Sequence, residues 1–216
     1  MKFIKKMALK FCGIINKLPF NNKIYRRGNK IIFGKSVLVK CRIDCKGKGN
    51  VIEFSQNSSF RNCNFLIYGN DNIIRIDDNV SGKNAEFYIE DNGGAIVVKE
   101  ATHFCGKIHL ACIEGCQIQI GKDCLFSSDI IFRTGDSHSL LDMDGNRINP
   151  SKNIKIGNHV WIGNHVIINK GVTIGDNNMI GTGAVVTKSI LESNNVIAGV
   201  PAKIVKRNTN WCSKRL

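Results

Sequence analysis

The sequence predicts an all-β solenoid, in which short parallel strands stack in successive coils. Large aliphatic residues recur every six positions near the C-terminal end, at Ile156, Ile162, Ile168, Ile174, Ile180 and Val186. Glycine directly follows four of these residues and supplies a tight bend in phase with them (Gly157, Gly163, Gly175 and Gly181). A six-residue period matches neither the 3.6-residue period of an α-helix nor the two-residue period of an isolated strand. Repeats of this kind bury their aliphatic faces only against neighbouring coils.

Three hexads are expected to close one triangular coil of about 18 residues. Ile156 then lies under Ile174, and Ile162 under Ile180. The six-residue spacing returns upstream at Ile120, Phe126 and Phe132. Earlier still, paired apolar positions recur at intervals near 22, which predicts longer coils with extra turn residues (Ile52, Phe54, Ile74, Ile76, Ile96 and Val98). We therefore expect one continuous solenoid domain over residues 26–205.

The two ends of the chain differ from the repeat. In residues 1–25 apolar side chains fall on one face of a short helix, with lysines elsewhere (Phe3, Met7, Phe11, Ile14, Ile15 and Leu18). This basic amphipathic N-terminal segment is expected either to cap the open end of the solenoid or to lie on an anionic membrane surface. Residues 206–216 are expected to form a basic C-terminal tail.

The net charge of +14 is concentrated at the two ends, since residues 1–48 contain fourteen Lys or Arg and one Asp. Basic residues alone do not predict nucleic-acid binding, because they are not interleaved with stacking aromatics and no DNA- or RNA-binding motif is present. We expect no nucleic-acid partner. Contact with an anionic membrane is an alternative use of this charge.

Nine cysteines without a recognisable signal peptide predict reduced thiols in a cytoplasmic protein, located either in the cytosol or at the inner face of the membrane. Apolar stretches fall short of the roughly 18 residues needed to span a bilayer. The pairs Cys41/Cys45 and Cys112/Cys116 are interpreted as small buried hydrophobic residues rather than zinc ligands, so no metal is expected.

The repeat is interrupted over residues 133–151 by a polar loop rich in Asp, Asn and Gly, which contains one histidine, His138. A polar loop of this length that leaves a regular solenoid is more often functional than structural. An imidazole ordinarily titrates at a pH of about 6.5 and therefore accepts protons at neutral pH. The loop is the predicted active-site insertion.

Six segments together resemble the bacterial hexapeptide-repeat O-acetyltransferases: Asp136-Ser137-His138-Ser139, Arg147-Ile148-Asn149-Pro150, His159-Val160-Trp161-Ile162-Gly163, Gly171-Val172-Thr173-Ile174-Gly175, Gly181-Thr182-Gly183-Ala184-Val185-Val186-Thr187-Lys188 and Ala198-Gly199-Val200-Pro201-Ala202-Lys203. The sequence is most similar to the branch that acetylates capsular and other surface polysaccharides. The resemblance implies a left-handed parallel β-helix and a homotrimer. It also implies acetyl-CoA as the co-substrate, bound between subunits, and a sugar or polysaccharide as the acceptor.

By the same resemblance, His138 is the catalytic base that takes the proton of a sugar hydroxyl during direct transfer of the acetyl group. Asp136 either orients the imidazole or simply forms a turn, and both interpretations stay open. Ser137 is not expected to act as a nucleophile, because adjacent residues of an extended chain point apart and no nucleophile elbow surrounds it.

The resemblance also implies the residues that bind acetyl-CoA. Trp161 is expected to project outward, where it either shapes the site beside His138 or packs against the neighbouring subunit. The small residues around Gly183 allow close approach of the pantetheine arm, and basic side chains suit the phosphates of CoA. The expected set is Trp161, Gly163, Thr182, Gly183, Ala184, Thr187, Lys188, Lys203 and Lys206.

Two other functions remain open on the same scaffold. A zinc-dependent hydratase would need three histidines, but the pairs His103/His109 and His159/His165 are each six residues apart and should lie on different faces. A non-catalytic binding module would keep the solenoid and tolerate changes in the loop at residues 133–151.

Overall fold

The computed structural model describes Asn16 and residues 21–214, which form an all-β solenoid with 24 strands numbered in chain order. The strands are parallel except for β24, which pairs antiparallel with β23. Three sheets make the faces of a prism. Face A contains β1 (Lys23–Tyr25), β4 (Arg42–Lys46), β7 (Asn64–Tyr68), β10 (Ala85–Glu90), β13 (Ile108–Cys112), β16 (Ile130–Arg133), β19 (Ile167–Ile168) and β22 (Val185–Val186). Face B contains β2 (Lys30–Ile32), β5 (Val51–Phe54), β8 (Ile73–Ile76), β11 (Ala95–Val98), β14 (Gln117–Ile120), β17 (Ile154–Ile156) and β20 (Thr173–Ile174). Face C contains β3 (Lys35–Val39), β6 (Gln56–Arg61), β9 (Ser81–Lys83), β12 (His103–Phe104), β15 (Leu125–Phe126), β18 (Trp161–Ile162), β21 (Met179–Ile180), β23 (Asn195–Gly199) and β24 (Ala202–Arg207).

The predicted stacking register is confirmed. Ile156 pairs with Ile174, and Ile162 with Ile180, one coil of 18 residues apart. Most coils upstream of the loop have 22 residues, as the pairing of Ile74 with its neighbours in β5 and β11 shows. The first pairing, of Lys23 with Arg42, spans 19. Register partners on either side of residues 134–153 are 36 positions apart, because one coil carries the inserted loop.

Inward-facing side chains form one hydrophobic column along the prism axis. Phenylalanine rings fill its N-terminal part, with neighbouring ring centroids 4.8 Å apart for Phe65 and Phe87 and 5.2 Å apart for Phe104 and Phe126. The buried phenylalanine rings lie in the longer coils and in the coil that carries the loop, whereas the 18-residue coils are filled by isoleucine and valine. Burial of each such side chain stabilises the column by roughly 1.5–3 kcal/mol.

A ladder of buried asparagines lies at the corner where the chain passes from face A to face B. The backbone N–H of Asn50 donates to Oδ1 of Asn29 at 3.0 Å, and that of Asn72 donates to Oδ1 of Asn50 at 2.9 Å. Oδ1 of Asn72 accepts from the backbone N–H of Gly94 at 2.7 Å. Each amide therefore satisfies a backbone group of the next coil, which a buried corner requires.

The ends of the solenoid differ from the expected boundaries. β1 begins at Lys23, before the expected start at residue 26, and β24 extends to Arg207, inside the expected tail. The side chain of Asn16 hydrogen-bonds the first coil, donating to the carbonyl of Ser36 at 2.7 Å and accepting from the N–H of Leu38 at 2.8 Å. The predicted amphipathic helix otherwise lies outside the described residues.

Candidate active site

The inserted loop leaves the prism at the corner between face A and face B, after β16, and returns at β17. Its outer part folds into a short hairpin arm: Leu141 and Arg147 form an antiparallel bridge, and the N–H of Ile148 donates to the carbonyl of Leu140 at 2.8 Å. Met143 at the tip is fully exposed, at 101% of its reference area. The arm therefore projects an apolar surface away from the chain.

Asp136 is held by two residues to which the sequence interpretation gave no role, Lys170 and Asn149. Its Oδ2 accepts hydrogen bonds from the ammonium of Lys170, at the same corner one coil later, and from Nδ2 of Asn149 at 2.8 Å. The hydrogen bond from Lys170 holds the pKa of Asp136 below its usual range, and that from Asn149 adds to the shift. Lys170 also donates to the carbonyl of Asn149 at 3.0 Å, so the three residues form one cluster.

Glu114 anchors the loop from the preceding coil at the same corner. Its Oε1 accepts from the guanidinium of Arg147 at 2.7 Å, and its Oε2 accepts from the backbone N–H of Ser151 at 3.4 Å. The hydrogen bond from Arg147 lowers the pKa of Glu114. The loop is thus tied to the coil before it and to the coil after it. A charged residue at a corner of the repeat next to the insertion is the only sequence signal for Glu114 and Lys170.

His138 lies in this loop with its backbone fixed and its ring exposed. Nδ2 of Asn149 donates to the carbonyl of His138 at 2.8 Å. The guanidinium of Arg133 donates to Oγ of Ser137, which has a positive φ of 65°. Within the described part of the chain the imidazole forms no hydrogen bond, and Asp136 binds Lys170 and Asn149 instead. The predicted orienting role of Asp136 stays a prediction.

The residues expected to bind acetyl-CoA fall into separate groups. Thr187 and Lys188 follow β22 at the corner between faces A and B, where the loop also lies. Gly163, Thr182 and Gly183 lie at the corner between faces C and A, where a Cβ on Gly163 would come within 2.9 Å of the N atom of Thr182. The remaining members are Trp161, Lys203 and Lys206 on face C and Ala184, which is fully buried in the core.

One chain therefore does not bring His138 and Trp161 together. Trp161 lies half-buried on the outer side of β18, as its position before the core residue Ile162 predicted. Face C is opposite the corner that carries the loop. The predicted catalytic histidine and the predicted acetyl-CoA residue Trp161 therefore lie on opposite sides of the prism.

The C-terminal segment returns to the solenoid beside Trp161. The ring of Trp211 stacks on His159 with centroids 4.2 Å apart, and its Nε1 donates to the carbonyl of His159 at 2.8 Å. Nδ1 of His159 lies 2.8 Å from Oδ2 of Asp123. The ring centroids of Trp161 and Trp211 are 6.1 Å apart. Residues 208–214 thus pack on the prism, although the sequence interpretation treated them as a tail.

Cysteines and histidines do not assemble a metal centre in the described residues, where no group of three potential ligands occurs. Cys41, Cys45, Cys112 and Cys116 are buried in the core. Burial raises the pKa of Cys112 to about 12, which keeps that thiol protonated. The two histidines of each pair considered for zinc lie on different faces or corners of the prism. The described residues contain no helix that is both long and apolar enough to cross a membrane.

A family model and two curated relatives match this chain, and all three are transferases. Residues 153–188 match the family described as bacterial transferase hexapeptide (six repeats). The chain is 52% identical over 110 residues to a polysialic acid O-acetyltransferase of Neisseria meningitidis, a match that covers 50% of each protein. It is 45% identical over 97 residues to a polysialic acid O-acetyltransferase of Escherichia coli O1:K1 / APEC, covering 44% of this chain and 31% of that protein. These matches span half or less of the curated relatives.

Solved structures extend the similarity over most of the chain. The crystal structure of the polysialic acid O-acetyltransferase OatWY superposes with a TM-score of 0.82 and 33% identity, covering 90% of this chain and 92% of that one. The polySia-specific acetyltransferase NeuO gives a TM-score of 0.64 and 28% identity, with 81% and 89% coverage.

Proposed function

This chain belongs to the hexapeptide-repeat O-acetyltransferases of the polysaccharide-modifying branch, and we propose from that premise that it transfers an acetyl group from acetyl-CoA to a hydroxyl of an acidic surface polysaccharide. The acceptor class follows from the polysialic acid named for its relatives. The basic ends of the chain suit a polyanionic acceptor.

The observation that carries the proposal is the geometry of His138. Its backbone is held through Asn149, while its exposed ring has no competing hydrogen bond in the described residues. His138 takes the proton of the acceptor hydroxyl, whose oxygen bonds to the acetyl carbon as the thioester C–S bond breaks. The imidazolium then returns the proton to the CoA thiolate. General-base assistance of this kind is worth about 10²–10⁴-fold.

The basic side chains assigned to CoA fit a polyanion. Lys188, Lys203 and Lys206 are exposed, and none takes part in an ion pair within the described residues. They are therefore available to the phosphates of the co-substrate, for which lysine is a natural partner. Thr182 and Gly183 supply a corner without bulky side chains beside Gly163.

We propose that the active site forms between subunits of a homotrimer. His138 and Trp161 lie on opposite sides of one prism, so a site that uses both needs a second copy of the chain. The hairpin arm supports this assembly, because Leu140, Leu141 and Ile148 are each more than half exposed in the single chain. Exposed apolar patches of this kind commonly mark protein interfaces.

The cytoplasm, with contact at the inner face of the membrane, stays our proposed location. Two features support this location: acetyl-CoA is supplied in the cytoplasm, and the basic ends of the chain suit an anionic membrane surface. The N-terminal segment that would make the contact lies outside the described residues.

The proposed reaction is tested by following release of the CoA thiol with a polysialic acid oligomer as the acceptor. The variant His138→Ala should lose about 10²–10⁴-fold in kcat while retaining its melting temperature and CoA affinity. His109→Ala is the matched control, because His109 lies on β13 of face A, outside the loop and outside the residues assigned to CoA. Wild-type turnover by His138→Ala would refute the assignment, and acceptor binding without thiol release by the wild-type protein would favour a binding module.

A further inference from the structure

A groove lies on face C over the N-terminal coils, away from the inserted loop. It has a volume of about 560 Å³ and is walled by residues of β3, β6, β9 and β12. Ser59, Ser81 and His103 form its floor as successive rungs of one ladder, since Ser59 pairs with Ser81 and Ser81 with His103. Oγ of Ser81 lies 2.7 Å from Nδ1 of His103.

Two cations line one side of this groove. Arg61 and Lys83 are exposed register partners on neighbouring strands, two residues beyond Ser59 and Ser81 and on the same side of the sheet. Neighbouring strands are about 4.8 Å apart, so the two charges are held close together. The lining contains no Asp or Glu, and neither cation has an ion-pair partner among the described residues. Two adjacent unneutralised cations attract an anionic ligand.

We propose that this groove, which we call the face C groove, binds the acidic acceptor polysaccharide at sugars next to the one that is acetylated. Arg61 and Lys83 bind carboxylates of neighbouring sugars, and Ser59 and Ser81 hydrogen-bond their hydroxyl groups. This inference rests on the proposed function for its acceptor class. It adds a site on the N-terminal coils that contacts the polymer without contacting the reacting atoms.

The groove borders a smaller cavity that lies next to Trp161 along the same ladder of strands. His103 lines both the face C groove and a smaller cavity of about 350 Å³ that also contains His159 and Trp211. The ladder continues from His103 through Leu125 to Trp161. Four rungs separate Ser59 from Trp161, a distance of about 19 Å. A track of this length suits an oligomer rather than a single sugar, and it ends at a residue predicted to line the active site.

The test compares the double variant Arg61→Ala/Lys83→Ala with the control Lys30→Ala/Lys155→Ala, which removes the same charge from exposed positions on face B. With a long polysialic acid acceptor the KM of the groove variant should rise about tenfold, with kcat and the KM for acetyl-CoA unchanged. The control should match the wild type. Arg61→Gln/Lys83→Gln, which preserves more of the side-chain packing, should give the same result if the alanine variant is unstable.

Equilibrium binding separates this inference from the proposed reaction. In the His138→Ala background, a fluorescent polysialic acid oligomer should bind with an affinity that falls with added salt, and the groove variant should lose both the affinity and most of that salt dependence. CoA alone should bind equally to both proteins. An unchanged acceptor KM and affinity in the groove variant, or loss of CoA binding instead, would overturn the assignment. Failure of the wild-type protein to release thiol would defeat the proposed reaction while the binding result still reports on the groove.

Discussion

Asn149 makes three of the hydrogen bonds that fix the chain around His138. Its Nδ2 donates to Oδ2 of Asp136 and to the carbonyl of His138, each at 2.8 Å, and its Oδ1 accepts from the N–H of Leu140 at 2.7 Å. Lys170 completes the cluster from the next coil. At the residue scale, the backbone of His138 is held by Asn149, which Lys170 holds in turn, and Lys170 therefore acts as a positioning residue.

The substitution Lys170→Met should lower kcat about tenfold through a looser loop, because the ammonium no longer joins Asp136 to Asn149. The pKa of Asp136, lowered chiefly by Lys170, should return toward the ordinary aspartate value of about 3.9. A lowered carboxyl pKa stabilises the fold above the unfolded-state pKa, and this contribution is lost as the pH falls through the folded-state pKa. The stability difference between wild type and variant should therefore be present at neutral pH and disappear on acidification.

NMR titration of the carboxyl carbon measures the pKa of Asp136, and steady-state kinetics measure kcat. Lys170→Arg should restore most of the rate, since a guanidinium also donates to a carboxylate. The control is Lys155→Met, a lysine on face B without an ion-pair partner in the described residues. An unchanged Asp136 pKa in Lys170→Met would contradict the role given to this contact.

At the scale of elements, the sequence predicted the strand stacking that recurs from coil to coil. It did not predict individual side-chain contacts between distant parts of the chain, each of which occurs once. Ile156 stacks under Ile174 because the coils that follow the loop repeat every 18 residues, so a period in the sequence identifies neighbours in space. Lys170 reaches Asp136 from 34 residues away, and Trp211 reaches His159 from 52 residues away, with no repeat to indicate either contact. The loop itself was predictable as a break in the period, whereas its attachments to the coils were not.

Trp211 holds the C-terminal segment against face C, and its removal should loosen that segment. Trp211→Ala loses the stack on His159 and the hydrogen bond to its carbonyl. An aromatic pair contributes about 0.5–1.5 kcal/mol beyond its buried area. We expect the free energy of unfolding to fall by about 1–2 kcal/mol, measured by urea denaturation, and the fluorescence of Trp161 to shift toward that of an exposed indole.

Cys212→Ala is the matched control for this substitution, because Cys212 is the exposed neighbour of Trp211 in the same segment. Its unfolding midpoint should equal that of the wild type. If Trp211→Ala unfolds at the wild-type urea concentration, the segment is not held by the stack.

At the scale of the whole molecule, the column of aliphatic and aromatic side chains explains why the prism tolerates an 18-residue insertion. Register partners 36 positions apart keep the same hydrogen bonds as their neighbours, as in the donation from Lys122 N to Asn158 Oδ1 at 3.1 Å. The core thus passes undisturbed beneath the loop. Function is added at the corner, and the hairpin arm carries its apolar residues to a surface that one chain leaves uncovered.

The arm provides the test of the proposed trimer. Leu141→Asp/Met143→Asp places two carboxylates on the apolar arm, where burial against a neighbouring subunit would be strongly unfavourable. We expect this variant to sediment as a monomer and to lose acetyl transfer, while its circular dichroism and melting temperature stay close to those of the wild type. Leu191→Asp, at an exposed leucine outside the arm, should remain trimeric and active. A trimeric, active arm variant would show that the arm is not part of the interface, and a wild-type protein that sediments as a monomer would refute assembly of the active site between subunits.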